Sequence, residues 1–134
     1  QFIQDWCRQS QVKAQFVTNL GSQRYISLMA CADVVVGNSS SGIIEAPALG
    51  VPTVNIGQRQ KGRLRAASII DCSESEPAII EALTKALSAE FKTIAQQKNT
   101  LYGTGNSAQC ITQQCAEFNF SQHRIKPFYD LPKA

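Results

Sequence analysis

Apolar and polar residues alternate along this chain with two rhythms, and the change of rhythm predicts where strands give way to helices. Residues 12–18 (VKAQFVT) read as a strand with Phe16 and Val17 as its apolar content, followed by a turn at residues 19–22. Ser22 is a suitable N-cap for a helix over residues 23–32, where Tyr25, Leu28, Met29 and Ala32 recur at helical spacing. Asp33 begins the run VVVG, β-branched and therefore expected to be buried on both faces of a sheet. A helix is predicted over residues 41–49, with Ile43, Ile44, Pro47 and Leu49, ended by Gly50. Residues 52–56 (PTVNI) form a third predicted strand, residues 57–62 (GQRQKG) a donor-rich loop, and residues 66–70 (AASII) a short fourth strand. Pro77 opens a long helix through about residue 88, with an extension to residue 97, striped by Ile79, Ile80, Leu83 and Leu87. After a turn at residues 99–105, Asn106 is expected to cap a last helix over residues 107–118. The segment beyond Phe120, with Pro127 and Pro132, is expected to run over the surface.

Repeated alternation of strand and helix predicts a three-layer α/β/α, Rossmann-like domain around a parallel sheet. In such sheets ligands sit beyond the carboxyl ends of the strands. The loops at residues 19–22, 37–42 and 57–62 each follow a predicted strand, so all three are expected on one rim. The chain shows no internal repeat and no low-complexity stretch.

Composition narrows the function classes. A length of 134 residues suits one domain with a real core, and 43% hydrophobic with 17% charged residues is ordinary for a soluble protein. The net charge of +3 is too weak and too scattered for nucleic-acid binding. No apolar run approaches the roughly 20 residues that a membrane helix needs. The opening QFIQDWCRQS has no signal-peptide pattern and no starting methionine, so the chain reads as a piece of something longer. Cysteines 7, 31, 72, 110 and 115 have no framework spacing and read as reduced thiols of a cytoplasmic protein. With only His123 near Cys110 and Cys115, no zinc site is expected.

Candidate chemistry concentrates between residues 37 and 63. Gly37, Asn38, Ser39, Ser40, Ser41 and Gly42 lie between a strand and a helix. Helix starts expose backbone N–H groups and the positive end of the dipole, small residues admit an anion, and serine hydroxyls add donors. The loop is neither a Walker loop nor GxGxxG, and a serine-rich turn that only caps the helix has the same spacing. Glu45, one turn later, would repel a phosphate; it suits either ribose hydroxyls, which need a fixed acceptor, or the first turn of the helix. Arg59, Lys61, Arg63 and Arg65 crowd one loop, and Arg59, two residues past Gly57, is best placed to point inward at a phosphate; the others read equally as a solvated basic face. Leu20 and Tyr25 border the first loop and offer an apolar wall to a nucleobase, although Tyr25 also reads as core. No Ser/His/Asp arrangement and no carboxylate pair is placed for acid–base work, and His123 is too far along the chain for a catalytic role.

The string GNSSSGIIEAPALGVPTVNIGQRQKGR (residues 37–63), with YGTGNSA (residues 102–108), strongly resembles the hydrolysing UDP-N-acetylglucosamine 2-epimerases of sialic-acid biosynthesis. The resemblance runs from about residue 12 to residue 118. It implies the second half of a two-domain GT-B-type enzyme: a UDP-binding domain over residues 1–120 and a tail over residues 121–134. By resemblance Ser39 and Ser40 hold the diphosphate, Glu45 the ribose hydroxyls and Arg59 the UDP site. Leu20 meets uracil through its backbone, with Tyr25 as the weaker neighbour, while Ser41 takes a variable position. The implied reaction inverts C2 of the sugar with loss of UDP, through elimination to a 2-acetamidoglucal and hydration to N-acetylmannosamine. The family's catalytic acids and a histidine belong to the missing N-terminal part, so no catalytic residue is expected in this chain. The resemblance also implies a UDP-sugar substrate, no cofactor or metal, and a homo-oligomer for the full-length enzyme. Other readings are the donor domain of a GT-B glycosyltransferase, or a non-catalytic nucleotide-sugar sensor or dimerisation domain.

Overall fold

A computed structural model of the chain describes residues 1–103 and 105–119. The elements run α1 (Phe2–Gln9), α2 (Gly21–Ala30), β1 (Val35–Gly37), α3 (Ser41–Leu49), β2 (Thr53–Ile56), β3 (Ile69–Cys72), α4 (Glu76–Ala86), α5 (Ala89–Gln96) and α6 (Ser107–Glu117). Residues Gln1–Leu101 form one compact unit and Tyr102–Ala134 a second. Everything but α6 belongs to the first. In the second, α6 buries none of its residues, and Asn106 makes none of the side-chain capping bonds that its position predicts. His123 and the predicted tail lie outside the described residues.

The sheet order is β1-β2-β3 and both pairs are parallel, with Gly37 opposite Asn55 and Asn55 opposite Asp71. Side chains alternate across a strand, so Thr53 and Asn55 face one way and Val54 and Ile56 the other. Val54 packs with Ala82 and Ala86 of α4 and Phe91 of α5, joined by Ile56, Ile70 and Cys72. Burying a valine of this kind is worth about 1.5–3 kcal/mol. The opposite face takes α3, which comes so close that a Cβ on Gly42 would lie 2.8 Å from Thr53 Cγ2. Met29 of α2, Ala46 of α3 and Val51 form a second cluster there, with Val35 and Leu49 against it. Helices therefore cover both faces of a parallel sheet, the predicted Rossmann-like α/β/α arrangement. Helix α3 has its predicted bounds, ending where Gly50 turns left-handed (φ 80°) and donates its N–H to Ala46 O and Pro47 O.

The predicted strand over residues 12–18 is not formed, and the described sheet has three strands rather than four. Val12, Phe16 and Val17 are all exposed, so β propensity there found no pairing partner. In consequence β1 is an edge strand, and Val36, expected to be buried, is 47% exposed. The last strand starts at Ile69 rather than residue 66, because Ile69 N turns back to Ala66 O; Ser68 O accepts from Thr53 N and opens the ladder with β2. The helix opened by Pro77 stops near residue 88 as expected, and the extension to residue 97 is a separate helix: Ser88 is extended and its Oγ accepts from Phe91 N, capping α5. Helix α2 begins before Ser22, with Asn19 Oδ1 accepting from Gly21 N at 2.7 Å in place of the predicted serine cap. Helix α1 is absent from the predicted elements, and its apolar side chains Phe2, Ile3 and Trp6 are exposed.

Candidate functional site

Strand β1 stops at Gly37 and α3 starts at Ser41, leaving Asn38, Ser39 and Ser40 at the carboxyl edge of the sheet. The helix seals its own first turn through backbone carbonyls: Ser39 O accepts from Gly42 N, and Ser40 O from Ile43 N and Ile44 N. Ser40, at the N-cap position, makes no side-chain capping bond. Ser39 Oγ accepts only a long 3.4 Å bond from Ser41 N. The serine hydroxyls are thus little used in closing the helix, which leaves them able to donate outward.

The loop after β2 reaches back to this one. Arg59 Nη1 donates to Asn38 O at 3.2 Å, and Gln60 Nε2 donates to the same oxygen at 2.8 Å. Parallel pairing of β1 with β2 brings the two loops to one rim, and these bonds tie them together. Arg59 spends one of its five N–H donors there. Arg65 is occupied differently: its Nε meets both Asp71 carboxylate oxygens at 3.2 and 3.1 Å, its Nη1 Arg63 O and its Nη2 Gln60 O. Arg65 therefore braces the loop rather than facing solvent, whereas Lys61 and Arg63 are exposed.

Glu45 sits one turn beyond Ser41, on the same helix face by its spacing of four. It is half-buried, and Oε2 is shielded and takes no donor from the described residues. No bond from this carboxylate to a helix N–H is formed among the described residues, and Oε2 is a shielded acceptor without a donor there.

Leu20 and Tyr25, at the start of α2, line an open cavity of about 610 Å³ together with Thr18, Asn19, Ser39 and Ser41. Two predicted base contacts and one predicted diphosphate contact therefore share a cavity. Ser40 and Arg59 are not on its wall, nor is Glu45. A second open cavity of about 670 Å³ lies beyond the ends of β2 and β3, between Lys61, Arg63 and Arg65 on one side and Ser73 and Glu74 on the other. The loop at residues 19–22 reaches the rim without following a strand; packing of α2 against α3 carries it there.

Gln60 and Asn55 were not among the predicted site residues. Both are buried, and each keeps a shielded carbonyl oxygen without a donor among the described residues. Asn55 offers a signal, an amide between Val54 and Ile56 in a short β-branched strand. Gln60 offered none, being one more donor in GQRQKG. Among the described residues no cluster of three His, Cys, Asp or Glu side chains could hold a metal, and no helix is long and apolar enough to cross a membrane.

The sequence model of the family described as UDP-N-acetylglucosamine 2-epimerase matches residues 2–116. Over 92 residues the chain is 47% identical to a Campylobacter jejuni protein named GDP/UDP-N,N'-diacetylbacillosamine 2-epimerase (hydrolyzing), covering 69% of this chain and 23% of that one. It is 34% identical over 122 residues to the polysialic acid biosynthesis protein P7 of Escherichia coli, covering 90% of this chain and 31% of that one. It is 36% identical over 95 residues to a Legionella pneumophila UDP-N,N'-diacetylbacillosamine 2-epimerase (hydrolyzing), covering 71% and 24%. The matched part is thus between 23% and 31% of the length of these relatives.

Proposed function

Because the chain belongs to the UDP-N-acetylglucosamine 2-epimerase family, we propose that it is the UDP-binding half of a hydrolysing enzyme that converts UDP-N-acetylglucosamine to N-acetylmannosamine and UDP. The observation that carries this reading is the joining of two strand-end loops at one carbonyl, Asn38 O, directly beside the serines at the start of α3. Ser39 and Ser40, just ahead of the sealed first turn of α3 and at the positive end of its dipole, would hold the diphosphate, with Arg59 turning onto it from the neighbouring loop. Glu45 would accept from the ribose hydroxyls, as the resemblance implies, once its carboxylate turns outward from the position in which Oε2 is shielded. Leu20 and Tyr25 would flank the uracil in the cavity they share with Ser39.

In the proposed reaction a base removes the C2 proton, the C1–O bond to UDP breaks, and its electron pair leaves on the β-phosphate. The glucal so formed takes water across the double bond, hydroxyl at C1 and proton at C2 from the opposite face. This chain would contribute donors fixed on the leaving diphosphate, which bind more strongly as negative charge develops there. The acid–base groups would come from the other domain, whose closure would exclude water. The product would feed synthesis of sialic or related nonulosonic acids, and names among the relatives support that class of pathway. The family match also supports this reading over a glycosyltransferase donor domain.

Incubating the complete enzyme with UDP-N-acetylglucosamine and identifying the sugar by NMR tests the proposal. The expected products are N-acetylmannosamine and UDP with no acceptor present. Release of UDP only with an acceptor sugar would overturn it in favour of transfer. UDP affinity unchanged by both Glu45→Ala and Arg59→Ala would refute the site.

A further inference from the structure

Gln60 differs from its neighbours on the loop after β2. Arg59 and Lys61 are exposed, whereas Gln60 is 5% exposed. Its Nε2 donates to Asn38 O at 2.8 Å, and its own backbone carbonyl accepts from Arg65 Nη2 at 2.9 Å. Arg65 Nε is held by both oxygens of Asp71, and Asp71 Oδ1 accepts from Asn55 Nδ2 at 2.6 Å. Asn55 is 1% exposed in the central strand. A continuous path of hydrogen bonds thus runs from the middle of the sheet to the carbonyl that precedes Ser39.

That carbonyl shares one planar trans peptide with the Ser39 N–H, and the two point in opposite directions. Holding Asn38 O on the side of the β2 loop therefore aims the Ser39 N–H away from that loop. Gln60 Oε1 is shielded and takes no donor from the described residues, so the bond from Nε2 to Asn38 O is the polar contact that this side chain makes among them. We infer that Gln60 is a positioning residue for the diphosphate: it orients the Asn38–Ser39 peptide so that the N–H meets the anion, and Arg65, Asp71 and Asn55 hold Gln60 in place. The inference rests on residues 37–42 being the diphosphate cradle. It also separates the two donors on Asn38 O. The exposed 3.2 Å bond from Arg59 can be given up when the guanidinium turns to phosphate, while the part-buried 2.8 Å bond from Gln60 keeps the peptide oriented.

The test is UDP titration of the complete enzyme carrying Gln60→Met, which keeps the length of the side chain and removes its donor. The expected result is a Kd for UDP raised about three- to tenfold. In combination with Ser39→Ala the loss should be less than the product of the two, since both act on one loop. An unchanged Kd accompanied by a lower thermal midpoint would make Gln60 merely structural and overturn the inference. If Gln60→Met does not fold, Asp71→Asn replaces it; it loosens Arg65 at an exposed position and should weaken UDP in the same direction, and an unchanged Kd again overturns the inference. Glu45→Ala and Arg59→Ala separate the two levels. If both leave UDP affinity intact, the site reading fails and takes the inference with it. If they weaken UDP while Gln60→Met does not, only the inference fails.

Discussion

Gly42 shows how closely one residue can bind site to scaffold. It lies in the first turn of α3, where alanine would ordinarily be favoured over glycine by about 1 kcal/mol. A methyl group there would meet Thr53 Cγ2 at 2.8 Å and Val35 Cγ1 at 3.7 Å. Thr53 is β-branched and 1% exposed, so it cannot swing aside. Overpacking of this kind costs about 1–3 kcal/mol, which outweighs the gain in propensity. Gly42→Ala should therefore lower stability by about 1 kcal/mol net, read from chemical denaturation of the protein without nucleotide. A stabilised variant would mean that α3 does not approach the sheet as described. Glu45 and Ser39 stand out in the sequence as chemistry, whereas Gly42 carries no chemistry and its role is legible only from the contact it would make.

At the scale of elements, an ion pair ties α5 to the segment that leads into β1. Asp33 precedes β1, and Lys92 Nζ from α5 donates to its carboxylate at 2.7 Å. That hydrogen bond, and then the charge of Lys92, hold the Asp33 carboxyl below its ordinary value of 3.8. A carboxyl depressed on folding adds stability that is present above the ordinary value and is lost as pH falls through the folded one. The acid limb of the stability curve should accordingly flatten below about pH 4 in Lys92→Met, with Asp33 titrating at its ordinary value by NMR. Because the pair is exposed, the effect should be small and should shrink further in salt. An Asp33 titration indifferent to Lys92 would remove the link. Neither partner is marked by spacing, since 59 residues separate them. The break between α4 and α5 was legible in principle, because Ser88 is a good N-cap, but the apolar stripe running through Leu87 outweighs it in a reading by period alone.

For the whole molecule, the cavity that Ser39 and Ser41 line is open, and the polar groups and the Leu20 and Tyr25 side chains around it have no opposing wall. Binding that depends on one wall is weak, because water competes for every bond and the ligand's lost freedom is offset by few contacts. The chain by itself should therefore bind UDP at least tenfold more weakly than the complete enzyme and release no sugar from UDP-N-acetylglucosamine. Calorimetry with UDP and a product assay on the isolated chain check both parts. Robust turnover by the chain alone would contradict the assignment of the acid–base groups to the other domain.

What the amino-acid order determined by itself was local: the bounds of α3, its glycine stop, the run of small hydroxyl residues ahead of it, and a parallel α/β class. These follow from propensity, periodicity and helix-end chemistry, which act within a few residues. Tertiary structure alone decided that residues 12–18 remain unpaired, that β1 becomes an edge, and that Gln60 rather than Arg59 makes the shorter, part-buried bond to Asn38 O. Strand pairing and burial depend on partners distant in sequence. A β-branched run states that it can pair, and only the packed sheet determines whether a neighbour is there to pair with.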